Sequence, residues 1–111
     1  MISSDVIRGY NDTIILFLLL EEPSYGYQIS KRIRELSDEK YIIKETTLYS
    51  AFARLEKNGY VESFSGGDET GGKKRTYYMI TKEGREYYKE KCDEWKVTKE
   101  VIELFIKRED V

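Results

Sequence analysis

The spacing of the apolar residues changes twice along the chain, and these changes restrict the possible folds more than any other feature. Up to Gly59, apolar residues recur at intervals of three and four, which indicates amphipathic helices. Between 60 and 80 they alternate with polar residues on both sides of a glycine-rich stretch, 66–72, as is typical of a β-hairpin with a flexible loop. The helical spacing returns after Thr81. The sequence therefore predicts a mainly α fold: three helices, a two-stranded hairpin and a final helix.

The first two helices are predicted from their apolar faces and their end signals. The first, over 5–20, is apolar around most of its circumference, so we expect it to be buried on more than one side. Pro23 ends this helix, and Ser24 is expected to cap a second, amphipathic helix. A short segment that favours β structure, 41–43, comes before the third helix.

The third helix, predicted over 46–58, has one face for the core and one for solvent. Its apolar side consists of Leu48, Ala51, Phe52 and Leu55. Gly59 supplies the left-handed residue that ends the helix. The opposite side is polar and cationic, and it carries Thr47, Tyr49, Ser50, Arg54 and Lys57.

This order of elements is that of a winged helix-turn-helix, in which the third helix enters a DNA major groove and the hairpin, or wing, touches the flanking backbone. The polar side of the third helix has residue types that donate hydrogen bonds to phosphates and base edges. A basic run, Lys73, Lys74 and Arg75, stands where a wing approaches phosphates or the minor groove. Each feature alone is also compatible with a solvated surface. Both together, in this order, predict binding to double-stranded DNA.

Composition narrows the class of protein. With 111 residues and 13.2 kDa, the chain is long enough for one domain. It has no histidine and a single cysteine, Cys92, which disfavours metal clusters and histidine-dependent catalysis. We therefore expect no enzyme activity, no metal and no cofactor. The net charge of −2 (19 basic minus 21 acidic) argues weakly against DNA, but 31–85 carries twelve basic and nine acidic residues.

The location of the protein is predicted from features that the sequence lacks. Its longest apolar run, 13–20 with Thr13 as its only polar member, is far shorter than the ~18 residues of a membrane span. The N-terminal residues do not have the pattern of a secretion signal, and a lone cysteine is typical of a reducing compartment. We therefore expect a cytoplasmic protein without a membrane partner.

The final helix is predicted over 82–107, with Thr81 as its cap and Glu83 in its first turn. Its apolar stripe consists of Tyr88, Cys92, Trp95, Ile102, Phe105 and Ile106. The helix could pack back on its own core, but a domain of this size has no obvious internal partner for so much apolar surface, so we expect a second copy to cover it. Residues 1–81 are thus predicted to form the DNA-binding domain, and 82–111 the dimerisation helix, of one compact unit.

Three motifs, in order along the chain, resemble the PadR family of bacterial transcriptional regulators. They are Tyr25-Gly26-Tyr27-Gln28-Ile29, Thr47-Leu48-Tyr49-x-x-Phe52-x-Arg54-Leu55-Glu56-x-x-Gly59 and Arg75-Thr76-Tyr77-Tyr78-x-Ile80-Thr81-x-x-Gly84. The resemblance covers nearly the whole chain. The single C-terminal helix is similar to that of the small subfamily, which includes a lactococcal multidrug-binding repressor.

The resemblance implies a homodimer that represses promoters by binding an inverted-repeat operator, with each C-terminal helix packed on the first helix of the other subunit. In the multidrug-binding relative, a tryptophan of this helix stacks planar drugs in the dimer cavity, and Trp95 falls at the matching place. Tyr88 and Phe17 are further candidate pocket residues. The alternative is that Trp95 only packs in the dimer core. Lys99 stands where the relative has an acidic residue, which disfavours a cationic drug.

Two hypotheses of function follow. The first is a dimeric winged-helix repressor whose affinity for operator DNA falls when a planar hydrophobic effector binds between the subunits. The alternative is a winged-helix protein-interaction module without DNA binding, which the acidic balance permits. Salt dependence distinguishes the two, because binding through several phosphates weakens steeply as the salt concentration rises.

Overall fold

Helices form most of the structure, and a small antiparallel sheet completes it. A computed structural model of the chain describes residues 2–67, 74–107 and 109. The elements are, in chain order, α1 Ser4–Ile7, a 3-10 turn Arg8–Tyr10, α2 Asn11–Leu18, β1 Ser24–Tyr25, α3 Gly26–Leu36, α4 Glu45–Lys57, β2 Val61–Gly67, β3 Lys74–Ile80 and α5 Lys82–Glu103. The sheet has the strand order β1-β3-β2. The predicted winged-helix fold is therefore confirmed.

The hydrophobic core lies where α2, α3 and α4 meet the sheet. It consists of Ile15, Leu16, Leu18, Leu19, Ile29, Ile33, Ile43, Leu48, Ala51, Phe52, Leu55, Val61, Tyr78 and Ile80. The four α4 residues in this set are those predicted from the apolar spacing. The Phe52 ring stacks on the Tyr78 ring with 4.0 Å between the centroids, which joins α4 to β3. Gly59 has a φ of 78° after the end of α4, so its predicted left-handed conformation is also confirmed.

The first predicted helix is interrupted, so the expectation of one continuous helix over 5–20 is wrong. A 3-10 turn separates α1 from α2. The interruption contains Gly9, which has a low helix propensity. It is followed by Asn11, whose buried side-chain oxygen accepts a hydrogen bond of 2.5 Å from the Tyr41 hydroxyl. A tertiary hydrogen bond thus fixes the chain at a point where the helix is locally weak.

The predicted cap of the second helix is also wrong, since Ser24 lies in a strand. Ser24 and Tyr25 pair with Tyr78 and Tyr77 of β3, which adds a third strand to the predicted two-stranded hairpin. The Ser24 hydroxyl donates a hydrogen bond to Gln28, and α3 begins at Gly26. The segment 41–43 forms no strand, and its Ile43 is buried in the core instead.

The C-terminal helix α5 ends at Glu103, four residues before its predicted end. The amides of Leu104 and Phe105 donate to the carbonyls of Val101 and Ile102, so the last turn tightens to i→i+3 bonds. Its start agrees with the prediction, because the Thr81 hydroxyl accepts a hydrogen bond of 2.9 Å from the Gly84 amide. Among the helices of the described ranges, we find none that is long and apolar enough to cross a membrane.

Gly84 allows α5 to pack against the body of the domain. A Cβ atom at this position would lie 2.1 Å from the Tyr60 carbonyl oxygen, which is backbone and cannot turn away. Close to this contact, the Tyr60 and Tyr87 rings stack at 4.2 Å, and the Arg85 guanidinium donates to the Leu20 carbonyl at 2.7 Å. The start of α5 is therefore held in place by contacts that leave no room for a side chain at Gly84.

We expect the Gly84→Ala substitution to lower the free energy of unfolding by roughly 1–3 kcal/mol, because the added methyl group overpacks this contact. Urea denaturation followed by far-UV circular dichroism, at one protein concentration, measures the effect. Gly9→Ala is the matched control, since a Cβ atom at Gly9 meets no atom within 4 Å. Equal urea midpoints for Gly84→Ala and the unmodified protein would contradict the prediction.

Candidate nucleic-acid interface

The side of α4 that faces away from the core carries the five side chains predicted to contact DNA. Its buried side fixes the rotation of the helix, so that Ser50, Arg54 and Lys57 are exposed and Thr47 is half-buried. Hydroxyl and basic groups thus stand together on one surface. Such groups donate hydrogen bonds to phosphate oxygens and to base edges.

Tyr49 has a packing role as well as an exposed surface. Its side chain is 48% exposed, and its ring meets the Phe52 ring edge to face with 5.6 Å between the centroids. The ring lies over Gly26 at the start of α3, where a Cβ atom would come within 2.5 Å of the Tyr49 hydroxyl oxygen. Gly26 therefore makes room for Tyr49, which leaves about half of the tyrosine surface available to a ligand.

Arg54 is engaged by an acidic residue that sequence reasoning did not identify. Its Nε donates to Oδ2 of Asp12 at 2.9 Å, and its Nη2 donates to Oδ1 at 2.5 Å. This hydrogen bonding raises the pKa of the Arg54 guanidinium, which therefore stays charged. Asp12 is mostly covered, with a side chain 19% exposed against 51% for Arg54. The pair ties α4 to α2 and offsets part of the positive charge on the candidate interface.

The ion pair still leaves Arg54 with hydrogen-bond donors. Two of the five guanidinium N–H groups are directed at Asp12. The other three are available to another acceptor. A bidentate carboxylate also fixes the orientation of the guanidinium plane. Asp12 therefore orients the Arg54 side chain, and the remaining N–H groups can donate to a ligand.

A polar cleft of about 260 Å³ lies beside the start of α4. It is lined by Arg8, Asn11, Thr46, Thr47, Ser50 and Arg54. Arg8 is a second residue that sequence reasoning missed, because the break in the first helix was not predicted. Its ion pair with Asp5, at 2.6 Å, is highly exposed on both sides and therefore holds the guanidinium weakly. The cleft thus brings two guanidinium groups and three hydroxyl groups together, which is suitable chemistry for a phosphate.

The basic run of the wing is partly placed by the structure. Lys74 and Arg75 begin β3 and are exposed, whereas Lys73 lies outside the described residues. Strand β2 continues to Gly67, the register partner of Lys74, so the hairpin extends into the predicted loop. The Arg75 guanidinium lies over the Tyr25 ring, 4.6 Å from its centroid. Two cationic side chains therefore stand near the end of the described part of the wing.

The three predicted pocket residues lie in two adjacent grooves, which meet at Ile2 and Ile7. Trp95 lines a groove of about 770 Å³ and meets the Tyr10 ring edge to face at 5.4 Å. Phe17 and Tyr88 line a groove of about 630 Å³, with 6.4 Å between their rings. Burial raises the pKa of the Tyr88 hydroxyl, and the neighbouring Cys92 raises it further. Within one protomer, Trp95 is thus not brought together with the other two side chains.

The structure has a three-helix body with a polar, cationic third helix, and a hairpin with a basic end lies next to it. This combination defines the class of winged-helix DNA-binding proteins. Residues 15–90 match the model of the transcriptional regulator PadR-like family. The chain belongs to this family, as its three sequence motifs predicted. It is a DNA-binding transcriptional regulator and not an enzyme. Of the two hypotheses of function, family membership therefore favours the one with DNA binding.

Individual relatives agree with this membership. The structure of a transcriptional regulator from Clostridium thermocellum is 67% identical, with a TM-score of 0.88 over 96% of this chain and 100% of that chain. A PadR family transcription regulator from Clostridium difficile is 34% identical, with a TM-score of 0.75 over 87% and 98%. An uncharacterized protein of Lysinibacillus sphaericus is 47% identical over 106 residues, which are 96% of each chain.

We expect the Asp12→Asn substitution to strengthen non-specific DNA binding by roughly two- to fivefold, because an ion pair of this exposure is worth up to about 1 kcal/mol. The slope of log affinity against log salt should become steeper by about 0.9, the effect of one more neutralised phosphate. Fluorescence anisotropy of a short labelled duplex in 50–200 mM salt measures both quantities.

Glu90→Gln is the matched control for this substitution. It removes the same charge from the exposed surface of α5, so it tests whether a change of net charge alone explains the effect. A weaker affinity with an unchanged slope in Asp12→Asn would show that Asp12 acts only by holding α4 in place.

Proposed function

We propose that the chain acts in the cytoplasm as a dimeric repressor, which binds an inverted-repeat operator and is released when a planar hydrophobic effector binds between its subunits. The observation that carries this proposal is that one protomer exposes two faces of different chemistry. A polar and cationic face lies on α4 and the wing, and an apolar face runs along α5. The first suits DNA, and the second suits another copy of the chain.

The DNA contacts are assigned to α4 and to the wing. Hydroxyl groups and cations of α4 would meet base edges and phosphates, and these are Thr47, Tyr49, Ser50, Arg54 and Lys57. Lys73, Lys74 and Arg75 of the wing would meet the flanking backbone. Arg8 joins this set because it shares the polar cleft with Thr47 and Arg54. Base-edge contacts provide the sequence specificity, and phosphate contacts set the register on the duplex.

The end of α5 supports a dimer. Ile102 in its last turn, and Phe105 and Ile106 just after it, are each more than half exposed in the protomer. Contiguous apolar patches of this kind are rare on monomers and mark interaction surfaces. Regulators of this family are typically dimeric, which agrees with a second copy as the occupant. Twofold symmetry would direct two α4 helices at successive major grooves, roughly 34–36 Å apart, as an inverted repeat requires.

The effector site is assigned to the surroundings of Trp95 in this dimer. Half of the indole surface is exposed in the protomer, and it lines the groove of about 770 Å³. An indole offers a large, rigid apolar surface for a flat aromatic ligand. Lys99 and Glu103 line the same groove with opposite charges, which favours a neutral ligand. Phe17 and Tyr88, in the adjacent groove, would complete the apolar lining.

We expect the Ile102→Glu substitution to convert the dimer to a monomer in sedimentation velocity, because it places a charge in the apolar interface. Operator affinity should fall by roughly a hundredfold or more, since the two half-sites are then bound independently. Val97→Glu is the matched control, because Val97 is an exposed apolar residue roughly 200° around the helix from Trp95. A dimeric Ile102→Glu protein would contradict the assigned interface.

We expect a neutral planar tricyclic compound such as acridone to quench Trp95 fluorescence, which is the only tryptophan signal of the chain. Quenching should saturate near one ligand per dimer and should be weaker when promoter DNA is bound, because linked sites affect each other reciprocally. Calorimetric titration of Trp95→Ala gives the control, which should lose binding. Unquenched fluorescence together with intact DNA binding would remove the effector from the proposal and leave Trp95 in the dimer core.

A further inference from the structure

An aromatic column crosses one face of the small sheet and ends at a cation. The Tyr25 ring of β1 meets the Tyr77 ring of β3 at 5.2 Å, and the Tyr77 ring stacks on the Phe64 ring of β2 at 5.5 Å. These three residues are register partners across the strands, so their side chains share a face. Arg75 precedes Tyr77 by two residues and therefore lies on the same face, where its guanidinium covers the Tyr25 ring.

The residue opposite Arg75 on the other neighbouring strand has no side chain. Gly66 of β2 is the register partner of Arg75. A Cβ atom at Gly66 would lie 2.8 Å from Cδ1 of Tyr77, so the glycine allows the Tyr77 ring to lean over it. The β2 side of Arg75 is consequently occupied by this ring and not by a side chain of residue 66. The Tyr25 ring on the other side is the platform for the guanidinium.

Tyr25 lies at the junction between β1 and the helical body, whereas Arg75 belongs to the wing hairpin. Tyr25 is the last residue before α3, and its neighbour Ser24 is buried. The platform is therefore fixed in position by the core. A free arginine side chain has a large rotamer entropy, and part of it is lost when the side chain is immobilised on a partner. A guanidinium already held over a ring has less of this entropy to lose on binding DNA.

We propose that Tyr25 is a positioning residue for DNA recognition, which holds Arg75 of the wing by a cation–π contact in the orientation that meets the phosphate backbone. This inference rests on the proposed assignment of the wing to DNA. Tyr25 itself does not touch the DNA in this arrangement. It acts through Arg75, and its contribution depends on the presence of that guanidinium.

A double-mutant cycle tests this dependence. Tyr25→Leu should weaken binding to a short labelled duplex by about three- to tenfold, whereas Tyr25→Phe, which keeps the ring, should bind like the unmodified protein. In an Arg75→Gln background, Tyr25→Leu should have no further effect. The salt slope should fall by about 0.9 in Arg75→Gln and stay unchanged in Tyr25→Leu, because only the first removes a charge. Equal losses from Tyr25→Leu in both backgrounds would overturn the proposal.

A second measurement needs neither DNA nor the leucine variant. The Nε–H signal of Arg75 in a nitrogen-15 NMR spectrum should be shifted upfield by the ring current of Tyr25, and the shift should remain in Tyr25→Phe. With 3,4,5-trifluorophenylalanine at position 25, which keeps the shape but removes the negative ring face, the shift should shrink. An Arg75 signal that is the same in all variants would refute the platform. If the unmodified protein binds no duplex, the proposed function fails, and the NMR result still decides whether Tyr25 positions Arg75.

Discussion

The packing of one side of α4 against the body decides where the functional surfaces lie. Phe52 is fully buried and stacks on Tyr78, with an angle of 12° between the ring planes, so α4 is fixed in rotation against β3. Ala51 is also fully buried, and its small side chain allows a close approach of the neighbouring elements. Because the helix cannot rotate, its opposite side must face solvent. The position of the candidate DNA-binding surface is in this sense a consequence of the core.

Features that depend on neighbouring residues could be predicted from the sequence. The buried side of α4, the left-handed Gly59 and the cap at Thr81 all follow from spacing and from local backbone chemistry. The exposed side of α4 followed from its buried side. The wing strands were also predictable, since alternating residues on both sides of glycines indicate a hairpin. For these parts, the local preferences and the final fold agree.

The missed features are contacts between residues that are distant in the sequence. Ser24 has the chemistry of a helix cap, but pairing with Tyr78 places it in a strand. Asp12 and Arg54 are 42 positions apart, and neither residue indicates the other. The indole of Trp95 could be assigned to an apolar stripe, but the spacing does not identify Tyr10, in the turn before α2, as its partner. Where two local conformations have similar energies, tertiary packing decides which of them forms. Local propensity therefore could not identify these pairs.

Helix α2 is the element that both functional faces share. Its Asp12 holds Arg54 of α4, and its Phe17 lies against Tyr88 of α5. Just beyond its end, the Leu20 carbonyl accepts a hydrogen bond from Arg85 at the start of α5. Coupling between two sites requires an element whose position both of them bias. An effector bound beside α5 can change DNA affinity only if it binds more tightly to one arrangement of the two α4 helices than to another. Under the proposed function, the eight-residue α2 is therefore the element that would connect a shift of α5 to Arg54.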